Sequence, residues 1–141
     1  MTLKYLRDQR HRAIVAEVAR LKFPFPGDGH QDLETVVNEP IPRLSVGKNA
    51  GGQDLFPDIV VVGRPGQWLR LMAEIETADS VNDEQAQSRW LPCSRQGDLL
   101  IYVPAGCVAA AKRLCTKHGI TVAGIRTWRF RPVWGLDVTN A

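Results

Sequence analysis

The stretch Phe56-Pro57-Asp58-Ile59-Val60-Val61-Val62-Gly63-Arg64-Pro65-Gly66-Gln67-Trp68-Leu69-Arg70-Leu71-Met72-Ala73-Glu74-Ile75-Glu76 decides the fold. Asp58 to Val62 is a continuous apolar strand with an acid at its start, Gly63 to Gly66 is turn chemistry, and Trp68 to Glu76 returns as a second extended segment. The stretch therefore reads as a β-hairpin. With the turn centred near Gly66, residues whose numbers sum to about 132 face each other, which sets Asp58 opposite Glu74 at roughly 5 Å between β-carbons. Side chains alternate along a strand, so Glu74 and Glu76 share one face and Ile75 takes the other. Carboxylates this close repel: two unit charges about 4 Å apart cost roughly 4 kcal/mol at an effective dielectric of about 20. A cation, a basic partner or bound protons must offset that, and a divalent ion is the simplest of these.

Outward from the hairpin, Leu3, Leu6, Ile14, Val18 and Leu21 recur at helical spacing, which predicts a first helix over about Leu3 to Leu21, ended by Pro24 and Pro26. Glu17 lies three residues from Ile14 and four from Leu21, beside the apolar stripe, where it can look inward. Glu34 to Asn38 reads as a short strand and Glu39 to Gly52 as a long loop. After the hairpin, Asp79 or Ser80 caps a short helix stopped by Pro92. Asp98 to Val103 is an apolar strand, Cys107 to His118 a helix closed by Gly119, and Thr121 to Phe130 a last strand. The residues from Gly135 read as a loose tail. The order is αβββαβαβ, an α/β domain with a mixed central sheet flanked by helices, and the strand–helix–strand successions imply some parallel pairing.

This order, with Pro57-Asp58 opening one hairpin strand and Glu74-x-Glu76 closing the other, resembles the PD-(D/E)XK nuclease superfamily, also called restriction-endonuclease-like. The resemblance spans Met1 to about Arg131. It implies a restriction-endonuclease-like fold and a Mg²⁺- or Mn²⁺-dependent nuclease in which Asp58 and Glu74 hold the metal beside a phosphate of DNA. An acid of the first helix often assists in that superfamily, and Glu17 occupies that place. The third motif position is usually Lys; here it is Glu76, as in some restriction endonucleases of the superfamily. Glu76 can serve as general base or as a third metal ligand, but it cannot stabilise developing negative charge as an ammonium does. Lys48 can supply that charge if its loop folds over the site. Gln85 and Gln87 resemble the glutamines that many members place near the site.

Other readings of the same residues stand beside this one. The three acids can instead pair with arginines such as Arg64, Arg70 or Arg89 in a structural network. A nuclease-like fold that has lost cleavage can serve as a nucleic-acid- or protein-binding module. Trp128, Arg129, Phe130, Arg131 and Trp134 interleave aromatics with cations as nucleic-acid surfaces do, and equally suit an edge strand or a homodimer contact. At 141 residues and 44% hydrophobic, the chain fits a single domain over 1–141. No apolar run reaches bilayer length and Met1 to Arg12 lack a secretory pattern, so a cytoplasmic protein with no membrane segment is expected. Cys93, Cys107 and Cys115 are odd in number and lack Cys-x-x-Cys spacing, against a disulfide framework or a structural zinc. A net charge of +3, with cations gathered near both chain ends, suits a polyanionic partner. His11, His30 and His118 are scattered, with no Cys–His pairing apparent.

Overall fold

A computed structural model of the chain describes residues 2–131 and 135–140. Helix α1 (Leu3–Lys22) is followed by strands β1 (Leu33–Val37), β2 (Ile59–Gly63) and β3 (Trp68–Ile75). A helical run then passes through α2 (Asp83–Gln85), a π turn (Ala86–Trp90) and α3 (Leu91–Ser94). Strand β4 (Leu99–Pro104), helix α4 (Val108–His118), and strands β5 (Gly124–Arg131) and β6 (Gly135–Asn140) complete the chain. The six strands form one sheet in sequence order. β1–β2, β2–β3 and β5–β6 pair antiparallel, whereas β3–β4 and β4–β5 pair parallel. The fold is thus α/β with a mixed sheet, as the alternation of apolar strands and helices implies.

The hairpin register follows the sequence closely. Ile59 pairs with Ala73, Val60 with Met72 and Val61 with Leu71, before a bulge between Val61 and Val62 shifts the pairing by one toward the turn. Continued by one residue past Ile59, this register sets Asp58 across from Glu74. Ile59, Val61, Ala73 and Ile75 face α1 and pack with Ile14, Val15, Val18 and Ala19, while Met72 faces Trp90, Cys93, Ile101 and Ala111 on the other side. Each fully buried aliphatic side chain contributes roughly 1.5–3 kcal/mol. β2 and β4 are the most enclosed strands, every residue of them buried except Pro104 at the end of β4.

Three expectations need correction. Residues 135–140 are a strand, not a tail: Leu136 and Val138 alternate with Asp137 and Thr139, and the apolar pair packs against the α1-side core. Pro92 does not stop the helix, since it falls in the first turn of α3, where its missing N–H is needed least. The cap is Asn82, whose side chain accepts from the Gln85 N–H, rather than Asp79 or Ser80. Helix α4 does end as read, at Gly119, whose φ of 64° suits a residue without a β-carbon. Among the described residues no helix is long and apolar enough to cross a membrane.

Candidate functional site

Strand β3 outruns β2, so on the side away from β4 the Ile75 backbone has no strand partner, and side chains complete the ladder there. Asp58 Oδ2 accepts the Ile75 N–H at 2.8 Å, and His11 Nε2 donates to the Ile75 carbonyl at 2.9 Å. Since a carbonyl only accepts, the hydrogen sits on Nε2, and that nitrogen also lies 3.3 Å from Asp58 Oδ2. His11 Nδ1 points toward Glu39 Oε1 at 3.9 Å. Glu39 is held by its neighbour Asn38, a buried amide that donates to the Leu44 and Pro57 carbonyls and accepts from the Arg43 and Leu44 N–H groups. One ligand atom from each of His11, Glu39 and Asp58 lies within 4.8 Å of the others, so this cluster could hold a metal ion.

Glu74 in β3 and Glu76 just past its end face the α2–α3 run and are wholly enclosed. Arg89 grips Glu74 with two bonds, Nη2 to Oε1 at 2.7 Å and Nε to Oε2 at 3.1 Å, and also donates to the Phe56 carbonyl. Glu76 accepts from Ser80 Oγ at 2.7 Å, Gln85 Nε2 at 3.0 Å and Trp90 Nε1 at 3.2 Å. Arg89 and Trp90 both sit in the π turn, a distortion that recurs at functional sites. A cavity of about 340 Å³ is lined by His11, Glu39, Asp58, Glu74, Gln85 and Arg89 among others. A second, of about 320 Å³, is lined by Lys4, Arg7, His11, Glu76, Ser80 and Gln85. His11 and Gln85 border both.

Electrostatics follow from this enclosure. Burial, then the Asp58 charge, push the Glu74 carboxyl up to about 8 while Arg89 pulls against them. Burial and Asp58 likewise raise Glu76 to about 7, opposed by the donors Gln85, Ser80 and Trp90. For His11, burial disfavours the cation, but the Asp58 bond and the charges of Asp58 and Glu39 outweigh it and raise the imidazole to about 9.

Of the residues read from sequence, Asp58 and Glu74 share the first cavity and Glu76 adjoins it in the second, with Gln85 between them. Glu17 does not reach either cavity; it pairs with Arg20 at 2.8 Å on an outer flank of α1. Lys48 bonds Asp54 within its own loop, and Gln87 is exposed. Arg129 is exposed and near Asp137, while Trp128 is buried and donates to the Glu76 carbonyl. Trp134 and the side chains of Phe130 and Arg131 lie outside the described residues. Arg89, not Arg64 or Arg70, is the arginine on the acids.

His11 and Glu39 are the members that sequence reading missed. The signal for His11 was present: it precedes Ile14, Val15 and Val18 by three, four and seven residues, so it prolongs the stripe that is buried. Glu39 carried no such signal. No protein-family model matches the chain, and comparison with curated proteins and with solved structures gives no match.

Proposed function

We propose that this chain is a divalent-cation-dependent nuclease acting on phosphodiester bonds of DNA, with a restriction-endonuclease-like fold. The observation that carries the reading is the meeting of Asp58 and Glu74 in one cavity with His11, Glu39 and Arg89, next to an enclosed Glu76. The run of helix, three antiparallel strands, helical crossover and parallel strand supports the fold. Asp58, His11 and Glu39 fit a cation by donor type. When bound, a divalent ion would neutralise phosphate charge and make a water acidic. Glu76, with a pKa near 7, is poised to take a proton at neutral pH. Arg89 is partly exposed and anchored by Glu74, so its guanidinium can meet a phosphate oxygen and supply the positive charge that the Lys position lacks. Exposed Lys4, Arg10 and Arg12 on α1, with Arg129 on β5, offer salt-sensitive phosphate contacts.

One observation favours a second reading, a non-cleaving nucleic-acid-binding module: both Glu76 oxygens already accept hydrogen bonds from neutral donors. Incubating labelled single- and double-stranded DNA with the chain and Mn²⁺, beside Asp58→Asn, separates the two. Cleavage lost in Asp58→Asn supports the nuclease. Salt-dependent binding without cleavage supports the module, and neither binding nor cleavage, of DNA or RNA, would sink both.

A further inference from the structure

The three residues that cluster at the end of the hairpin are not all oxygen donors, and the third is tuned for one task. Because His11 gives its Nε2 hydrogen to the Ile75 carbonyl, the neutral ring carries its lone pair on Nδ1, the nitrogen that faces Glu39. Metal-binding histidines are commonly fixed this way, one nitrogen locked to a backbone carbonyl and the other left for the ion. The carboxylates match. All hydrogen bonds that the Asp58 carboxylate accepts among the described residues fall on Oδ2, leaving Oδ1, although the residue is only 4% exposed. Glu39 makes no side-chain hydrogen bond among them, yet its backbone is fixed between the Asn38 network and Pro40. One ligand atom from each of these three residues lies within 4.8 Å of the others, and all three residues line one cavity, while Glu74 in the same wall is bound to Arg89.

We propose that His11, Glu39 and Asp58 form a mixed nitrogen–oxygen site that prefers a transition ion such as Mn²⁺ to Mg²⁺. The inference rests on the cation-dependent reading above and narrows it. Mg²⁺ favours all-oxygen octahedra and keeps its waters, whereas imidazole nitrogen suits later divalent ions, in the order Mn²⁺ below Co²⁺ below Zn²⁺. The ligand that decides the preference is therefore His11, and the Glu74–Arg89 pair need not open for the ion to enter.

The test titrates the full, tag-free, metal-stripped chain with MnCl₂ and with MgCl₂ by calorimetry, beside His11→Gln and Glu39→Gln. Mn²⁺ should bind on the order of tenfold or more tighter than Mg²⁺. His11→Gln should remove most of that advantage while leaving Mg²⁺ binding little changed, and Glu39→Gln should weaken both ions. Electron spin-echo spectra of bound Mn²⁺ should carry nitrogen modulation in the parent and lose it in His11→Gln, a signature that a merely structural histidine would not produce. Equal affinity for the two ions, or nitrogen-free spectra, overturns this site while leaving a cation-dependent nuclease intact. No binding of either ion overturns both.

Discussion

Two cavities meet at His11 and Gln85, and each holds one acid of the same strand face, but they neutralise that acid by different means. Around Glu74 the partner is a formal charge, the two-pronged guanidinium of Arg89. Around Glu76 the partners are three neutral donors from Ser80, Gln85 and Trp90. An ion pair stabilises only the ionised carboxylate and leaves a large penalty if one member is removed. Neutral donors that can also accept, such as a hydroxyl or an amide, tolerate either protonation state. The cavity around Glu74 is therefore the brittle one, and the cavity around Glu76 can absorb a change of charge.

The largest test of this contrast removes Arg89. In Arg89→Ala, Glu74 is left enclosed without its counter-charge, with Asp58 still nearby, and urea unfolding well above pH 8, where the parent's Glu74 is ionised, should show a loss of about 3 kcal/mol or more. The loss should shrink toward pH 5, where Glu74 takes a proton instead. Combining Arg89→Met with Glu74→Gln should restore much of the stability, because the charge and its partner leave together. If Arg89→Ala unfolds as the parent does at both pH values, the pair is not what holds Glu74.

Next in size is the response of the metal-free chain to pH. Glu74 and Glu76 are raised in the fold from an ordinary value of 4.5 to about 8 and about 7, so the folded chain holds protons that the unfolded chain has released. Their contribution is present below about pH 4.5 and is lost as pH rises through 7 and 8. His11, raised from 6.5 to about 9, has the same sign, with stability present below 6.5 and lost through 9. Thermal melts should thus fall from about pH 6 to about pH 8. Mn²⁺ should oppose the fall, since it favours the ionised ligands and binds only the folded site. A flat or rising profile in the stripped chain would show that the three groups are not proton-loaded.

Smaller again is Glu76→Gln. The amide oxygen can keep the Trp90 and Gln85 bonds while its NH₂ turns to Ser80 Oγ, which accepts as readily as it donates. Stability should stay within about 1 kcal/mol of the parent, and near pH 8 it should not fall, because a repelling charge has gone. A loss as large as that of Arg89→Ala would erase the distinction between the two cavities.

What was legible in the sequence follows from the range of the physics involved. Alternation and turn chemistry are local, so the Ile59–Ala73 register and the placing of Asp58 against Glu74 could be read directly. The α1 stripe was harder. Leu3, Leu6 and Leu21 suggested one phase, yet they are 78%, 50% and 40% exposed, because the first turns of α1 extend past the core and only Ile14, Val15, Val18 and Ala19 pack on the sheet. That shift of phase exchanges Glu17 for His11. Glu39 and Arg89 reach the site from a loop pinned by Asn38 and from a π turn, neither of which has a short sequence signature. The last strand was overlooked through its position at the chain end, although Leu136 to Thr139 alternates as a strand should.

The smallest expected effect checks that exchange of residues on α1. Glu17 lies on the flank of the helix beside Arg20, and an ion pair three residues apart on an exposed face is screened by water and salt. Its carboxyl is held below the usual range by the Arg20 bond, the ordinary behaviour of a surface acid beside an arginine, in contrast to the raised Glu74 and Glu76. Glu17→Ala should therefore leave the melting temperature, the Mn²⁺ affinity and any cleavage unchanged within measurement error, whereas His11→Gln on the same helix alters the metal response. The two variants share a helix but not a face, so the comparison isolates which face of α1 serves the cavity. Loss of Mn²⁺ binding in Glu17→Ala, with His11→Gln silent, would mean that α1 is rotated in solution and that the acid of the first helix is the working residue after all.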